Sequence, residues 1–117
     1  MILYHGTTIQ NALSIMKYGF DINKSGENWG TTYGKGIYFS PNYETAQFYA
    51  NSDESNPGIV ISINVDLNAF ILKKDFSPNK KRKFRLPKNS NYDSIVNANG
   101  DEVIIIDPSI LRVNCVN

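Results

Sequence analysis

The chain has 117 residues, 41% of them apolar and 20% charged, a formal net charge of +1 and a single cysteine. That length suits one domain able to bury roughly 65% of the surface its unfolded chain exposes, with no disulfide inside the chain because Cys115 has no second cysteine to meet. The composition excludes a disordered or coiled-coil chain, and no apolar run approaches the roughly 20 residues of a membrane span.

The opening Met1-Ile2-Leu3-Tyr4-His5-Gly6 lacks the basic region, apolar stretch and small-residue cleavage site of a signal peptide. A reduced, intracellular, cytoplasmic protein is the expectation, with a host cell as one setting. Ile2-Leu3-Tyr4 reads as a short strand ending at His5-Gly6. Thr7 or Thr8 then caps a helix with Ile9, Ala12, Leu13, Ile15 and Met16 at helical spacing, and Gly19 stops it. Residues 20–34 are polar and rich in Gly, Asn and Thr around Trp29, a loop long enough to suggest function.

Gly36-Ile37-Tyr38-Phe39 resumes as a strand. Ser40 is the expected cap of a second helix with Pro41 at its first position, running to about Ala50 and burying Ala46, Tyr49 and Ala50. The β-branched run Ile59–Val65 reads as a central strand. Eight of the 12 Lys and Arg then fall between residues 73 and 88, opposed only by Asp75, which gives that stretch +7 and leaves −6 for the rest. It reads as an exposed insertion with one edge strand around Phe84. Tyr92–Val96 is a further short strand, Glu102–Ile106 a buried strand stopped at Asp107-Pro108, and Leu111–Val116 the last strand. No repeat or interdomain linker is visible, and two early helices followed by strands argue for an α+β fold.

Several chemistries fall away on residue types alone. One His and one Cys cannot supply a zinc set, and no carboxylates have calcium-loop spacing. A nucleophilic pair of His5 and Cys115 lacks an activating motif, and Gly34-Lys35-Gly36 lacks the frame of a phosphate-binding loop. Three polar residues remain at apolar elements. His5 is followed by Gly6, where a ligand can approach the backbone, Tyr38 sits inside a strand, and Glu102 opens a very apolar one. A carboxylate there must be solvated, paired or functional. Singly, each has an ordinary structural role: a satisfied core histidine, a core tyrosine, a strand-end charge. Their conjunction is what points to a site.

Leu3-Tyr4-His5-Gly6-Thr7, Gly34-Lys35-Gly36-Ile37-Tyr38-Phe39-Ser40 and Asp101-Glu102-Val103-Ile104-Ile105-Ile106-Asp107-Pro108 together resemble, in order, three motifs of the poly(ADP-ribose) polymerase type of ADP-ribosyltransferase, with its His-Tyr-Glu triad. Tyr49 falls where that family has a second pocket tyrosine. The resemblance covers nearly the whole chain and implies one catalytic domain over residues 1–117, with two packed β-sheets in a split sandwich and short flanking helices. It implies NAD as substrate and no metal. His5 would bond a hydroxyl of the adenosine ribose. Gly6, assisted by Thr7, would hold the nicotinamide amide between the rings of Tyr38 and Tyr49. Glu102 would bond the 2′-hydroxyl of the nicotinamide ribose, so that His5, Tyr38 and Glu102 form the catalytic set.

This sequence also departs from the pattern. Ala46 stands where the family carries a serine that binds the nicotinamide amide, and Asp21 where some relatives have a basic residue. Gly100, two residues before Glu102, argues against the arginine-modifying branch. The short chain leaves little room for loops that support polymer growth, so mono-ADP-ribosyl transfer is the expected outcome. The acceptor is expected to be a macromolecule, protein or nucleic acid; Lys80, Lys81, Arg82, Lys83 and Arg85 read either as its contacts, because clustered cations bind phosphates, or as a solvated charged loop or docking patch for an acidic partner. Two alternatives are a catalytically silent NAD- or ADP-ribose-binding module and an RNA 2′-phosphotransferase of the same broad fold. The latter uses several arginines, and this chain has only Arg82, Arg85 and Arg112.

Overall fold

The computed structural model describes residues 1–22, 33, 36–52, 54–73, 84–87 and 89–111, together with the backbone of 115–116. Strand β1 (Ile2–Thr8) leads directly into α1 (Ile9–Tyr18), and β2 (Ile37–Phe39) precedes α2 (Tyr43–Ala50). Five strands follow: β3 (Gly58–Asn64), β4 (Ala69–Ile71), β5 (Ser94–Val96), β6 (Val103–Ile105) and β7 (Cys115–Val116), with a 3₁₀ turn at Pro108–Ile110. They form two sheets, one of order β1-β3-β7 and one of order β2-β6-β5-β4. All pairings are antiparallel except β4 with β5. The expected α+β architecture of two packed sheets with short helices is therefore observed.

Strand alternation sorts the apolar residues into layers. Leu3, Ile61 and Ile63 of the first sheet and Ile37, Phe39, Val103 and Ile105 of the second meet in the central core, closed by Ala12 of α1. Tyr4 and Val60, on the other face of the first sheet, pack on Ala46 and Ala50 of α2. Ile104 and Ile95 cover the outer face of the second sheet with Leu72, under a shell that includes Tyr33, Tyr38, Phe70 and Phe84. Both sheets are thus covered on both sides, and β6 is buried at every position.

Several expectations are corrected. The first strand does not end at His5-Gly6, because pairing with β3 continues to Thr8 opposite Gly58, which places His5 in mid-strand. Thr8 then caps α1 by accepting from the Asn11 amide at 3.1 Å. Only Ala12 of α1 is buried, with Ile15 against the core, while Ile9, Leu13 and Met16 remain exposed. The small Ala12 side chain lets the helix touch the sheet along a narrow strip. Ser40 does not cap α2, since its amide and carbonyl are committed to Tyr4. Asn42 takes that role, accepting from Glu44 N at 3.0 Å, so Pro41 lies ahead of the helix.

The edge of the second sheet is β4, which the sequence reading left unassigned, and Phe84–Pro87 carry no strand. Phe84 instead packs its ring on Phe70 at 5.2 Å between centroids. Of the strand expected over Leu111–Val116, Cys115–Val116 form a strand and Leu111 does not, following the 3₁₀ turn that Pro108 starts; residues 112–114 lie outside the described residues. Trp29, Lys80, Lys81, Arg82 and Lys83 lie outside the described residues; Lys73 and Arg85, the described cations of the basic stretch, are exposed. Among the described residues no helix is long and apolar enough to cross a membrane.

Helix α2 lies close enough to the first sheet to forbid side chains beneath it. A Cβ on Gly6 would fall on the Ala46 carbonyl, and one on Gly58 would fall on the Ala50 carbonyl. Gly58→Ala must therefore push the helix off the sheet. We expect a loss of about 1–3 kcal/mol by urea unfolding, and an unchanged midpoint would contradict this packing.

Candidate functional site

The two sheets meet where β1 crosses β2. Tyr4 and Ser40 exchange two backbone hydrogen bonds of 2.8 Å, and one residue on, His5 Nδ1 bonds the Tyr38 carbonyl at 2.7 Å. This seam opens on a cleft of about 300 Å³ lined by Tyr4, His5 and Gly6 of β1, Tyr38, Phe39 and Ser40 at β2, Ala46 and Tyr49 of α2, Tyr33, and Glu102 at the mouth of β6. Five of the six residues singled out from sequence (His5, Gly6, Tyr38, Tyr49 and Glu102) share this one cleft. Thr7 stands next to Gly6 but does not line it.

His5 is held from several sides. Its ring packs edge-on to Phe20 and tilted on Phe39, both at 5.4 Å. Burial lowers its pKa, the bond to the Tyr38 carbonyl working in the opposite direction, so the imidazole is neutral at pH 7. A carbonyl only accepts, so Nδ1 carries the proton and Nε2 presents a lone pair. The missing side chain of Gly6, read from sequence as room for a ligand, is required by Ala46 and Ala50 behind it; Gly6 nevertheless lines the cleft.

The other wall is aromatic and acidic. Burial, then the charge of Glu102, pushes the Tyr38 hydroxyl up to about 12. Its Oη is buried and, among the described residues, makes no hydrogen bond of good geometry, the Tyr33 backbone beside it working against that rise. Tyr33 meets the Tyr38 ring edge-on at 6.2 Å. Tyr49 donates to Glu102 Oε1 at 3.5 Å, the outer limit of a hydrogen bond. Desolvation raises the Glu102 pKa, opposed by the Tyr49 bond and reinforced by Asp101. The cleft therefore combines flat apolar faces, a neutral imidazole acceptor and a partly desolvated carboxylate. Among the described residues no group of three His, Cys, Asp or Glu is placed to hold a metal ion.

Tyr33 was missed from sequence. Its one signal is an aromatic inside a polar, Gly-rich loop directly before a motif. Ala46, expected as a buried helix position and a departure from the family pattern, is buried and also lines the cleft.

The buried Tyr38 hydroxyl gives a direct test of this wall of the cleft. An unsatisfied buried polar group costs about 1–3 kcal/mol, so Tyr38→Phe should leave stability unchanged or raise it by up to about 1 kcal/mol in thermal or urea unfolding. A loss of more than about 1 kcal/mol would mean the hydroxyl has a partner.

Comparison with known proteins agrees with the geometry. No curated protein matches the chain. A family model, Poly(ADP-ribose) polymerase catalytic domain, matches residues 1–103, a span that holds every cleft residue named above. The chain belongs to the poly(ADP-ribose) polymerase catalytic domain family.

Proposed function

We propose that this protein is an NAD-dependent mono-ADP-ribosyltransferase working through His5, Tyr38 and Glu102. The family carries ADP-ribosyltransferase activity in general. The finer reading is carried by one observation, the convergence of His5, Tyr38, Tyr49 and Glu102 on a single cleft. Its volume is at the lower end for small-molecule sites and suits the nicotinamide riboside half of the dinucleotide.

The residues present fit that ligand. The neutral His5 offers Nε2 to a hydroxyl of the adenosine ribose. Gly6 turns its backbone to the carboxamide. The rings of Tyr38 and Tyr49 flank the nicotinamide, where aromatic faces favour offset stacking. Glu102 accepts from the 2′-hydroxyl of the nicotinamide ribose. As the bond to nicotinamide breaks, positive charge grows on that ribose, and a fixed carboxylate in a partly dry cleft favours that state over the ground state. The ADP-ribose then passes to a nucleophile of the acceptor. The described cations of the basic stretch support an acceptor that carries negative charge: Lys73 and Arg85 are exposed, and Phe84 shares its apolar cluster with Tyr38. Lys80, Lys81, Arg82, Lys83 and Arg85 are the proposed contacts.

A second reading, NAD binding without turnover, is favoured by Ala46, a lining residue with no side-chain hydroxyl, which removes one hydrogen bond to the carboxamide.

Labelled NAD separates these readings. Incubated with lysate, the protein should transfer label to macromolecule, and nuclease and protease treatment then give the acceptor class. Glu102→Gln should lower nicotinamide release by roughly 10²–10³-fold while the protein stays folded. Activity requires the ionised carboxylate and the Glu102 pKa is raised, so the acid limb of turnover should lie above the ordinary value of 4.5. Retention of intact NAD by the parent protein would favour the second reading. A Glu102→Gln variant as fast as its parent would remove Glu102 from the chemistry.

A further inference from the structure

Glu102 is the last residue of the loop between β5 and β6, and the way that loop closes assigns a role to a residue outside the cleft. The register pairs Val96 with Val103, so the next rung of the ladder is Asn97 opposite Glu102. In a regular rung the two residues would exchange both backbone hydrogen bonds. Only half of that exchange is made by backbone, from Asn97 N to Glu102 O at 3.0 Å. The Glu102 amide turns instead to the Asn97 side chain, donating to Oδ1 at 2.9 Å. The Asn97 carbonyl is thereby released to accept from Gly100 N at 3.0 Å, closing a tight turn in which Gly100 has φ 79°. The Asn99 side chain caps the same turn, accepting from Asp101 N at 3.0 Å.

The Asn97 side chain therefore stands in for a backbone carbonyl, and together with the Asn97 backbone amide it holds both main-chain groups of Glu102 at the point where strand gives way to loop. Asn97 does not line the cleft and cannot touch a ligand there. An aliphatic residue at 97 would leave the Glu102 amide without its acceptor and the rung half-made. The carboxylate would then swing on a frayed strand end rather than on a fixed one. We infer that Asn97 is a positioning residue that fixes the backbone of Glu102 and so aims its carboxylate into the cleft between Tyr38 and Tyr49.

This rests on the role proposed for Glu102, and its test has arms that need no turnover. In the parent protein the Glu102 amide should be protected from hydrogen exchange by NMR, as the Ile104 amide within β6 is. In Asn97→Ala, exchange at Glu102 should rise by roughly 10-fold or more while Ile104 stays protected, the signature of local rather than global opening. The groups facing the carboxylate are Tyr33, Tyr38, Tyr49 and Asp101. None is altered by the substitution, so a Glu102 carboxyl freed into water should titrate lower, toward its ordinary value.

In turnover, Asn97→Ala should cut kcat by roughly 10- to 100-fold, the scale of a misplaced reacting group, with KM for NAD within about 2-fold because the binding walls are intact. Asn97→Asp keeps the acceptor oxygen and should restore amide protection and most of kcat. Free exchange of the Glu102 amide in the parent would overturn the assignment. So would an Asn97→Ala protein with unchanged carboxyl titration and kcat, or an Asn97→Asp protein no better than the alanine. Loss of the functional reading shows itself separately, as undiminished turnover by Glu102→Gln.

Discussion

Two backbone hydrogen bonds between Tyr4 and Ser40, and a third from His5 to the Tyr38 carbonyl, tie one sheet to the other at a single seam. The cleft exists because of it. The seam brings the mid-strand histidine of β1 against β2, and the alternation of β2 sends Ile37 and Phe39 into the core while Tyr38 turns to the opposite side. Glu102 is delivered to the same place because β6 lies beside β2, with Val103 opposite Phe39. Helix α2 closes the cleft from the third side, and it can approach only because Gly6 and Gly58 leave its backbone room. Three stretches far apart in the chain thus converge through one rung of pairing and one close helix–sheet contact.

The electrostatics follow from the same packing. Tyr33, Tyr38, Tyr49 and Glu102 sit in a shared, partly dry environment in which each tyrosine is made harder to ionise first by burial and then by the neighbouring carboxylate. The phenols therefore remain neutral donors at neutral pH, and Glu102 is the acidic member of the group. His5 is neutral for a separate reason, its burial among Phe20 and Phe39. A site with one localised negative charge among neutral walls is suited to a reaction whose positive charge appears late, on the substrate.

Much of this was legible from residue order, and the exceptions have physical causes. The β-branched runs of β3 and β6 announce themselves because strands covered on both faces need apolar residues at nearly every position. The three site motifs were readable because their polar residues interrupt such runs. The cap of α2 was misassigned because Ser40 is sequence-compatible with capping, while its tertiary partner Tyr4 lies 36 positions earlier. Strand β4 was invisible because Ala69-Phe70-Ile71 is too short to show a period and its pairing is parallel to a distant strand. Tyr33 and Asn97 carry no pattern of their own: one is placed by contact with Tyr38, the other by the register of a hairpin.

The account stands on a nicotinamide ring seated between Tyr38 and Tyr49 with its ribose against Glu102, and a crystal structure with a non-hydrolysable NAD analogue tests this directly. It should place the 2′-hydroxyl within hydrogen-bonding distance of the Glu102 carboxylate and an adenosine-ribose hydroxyl at His5 Nε2. An analogue bound elsewhere on the molecule, leaving those groups untouched, would contradict it.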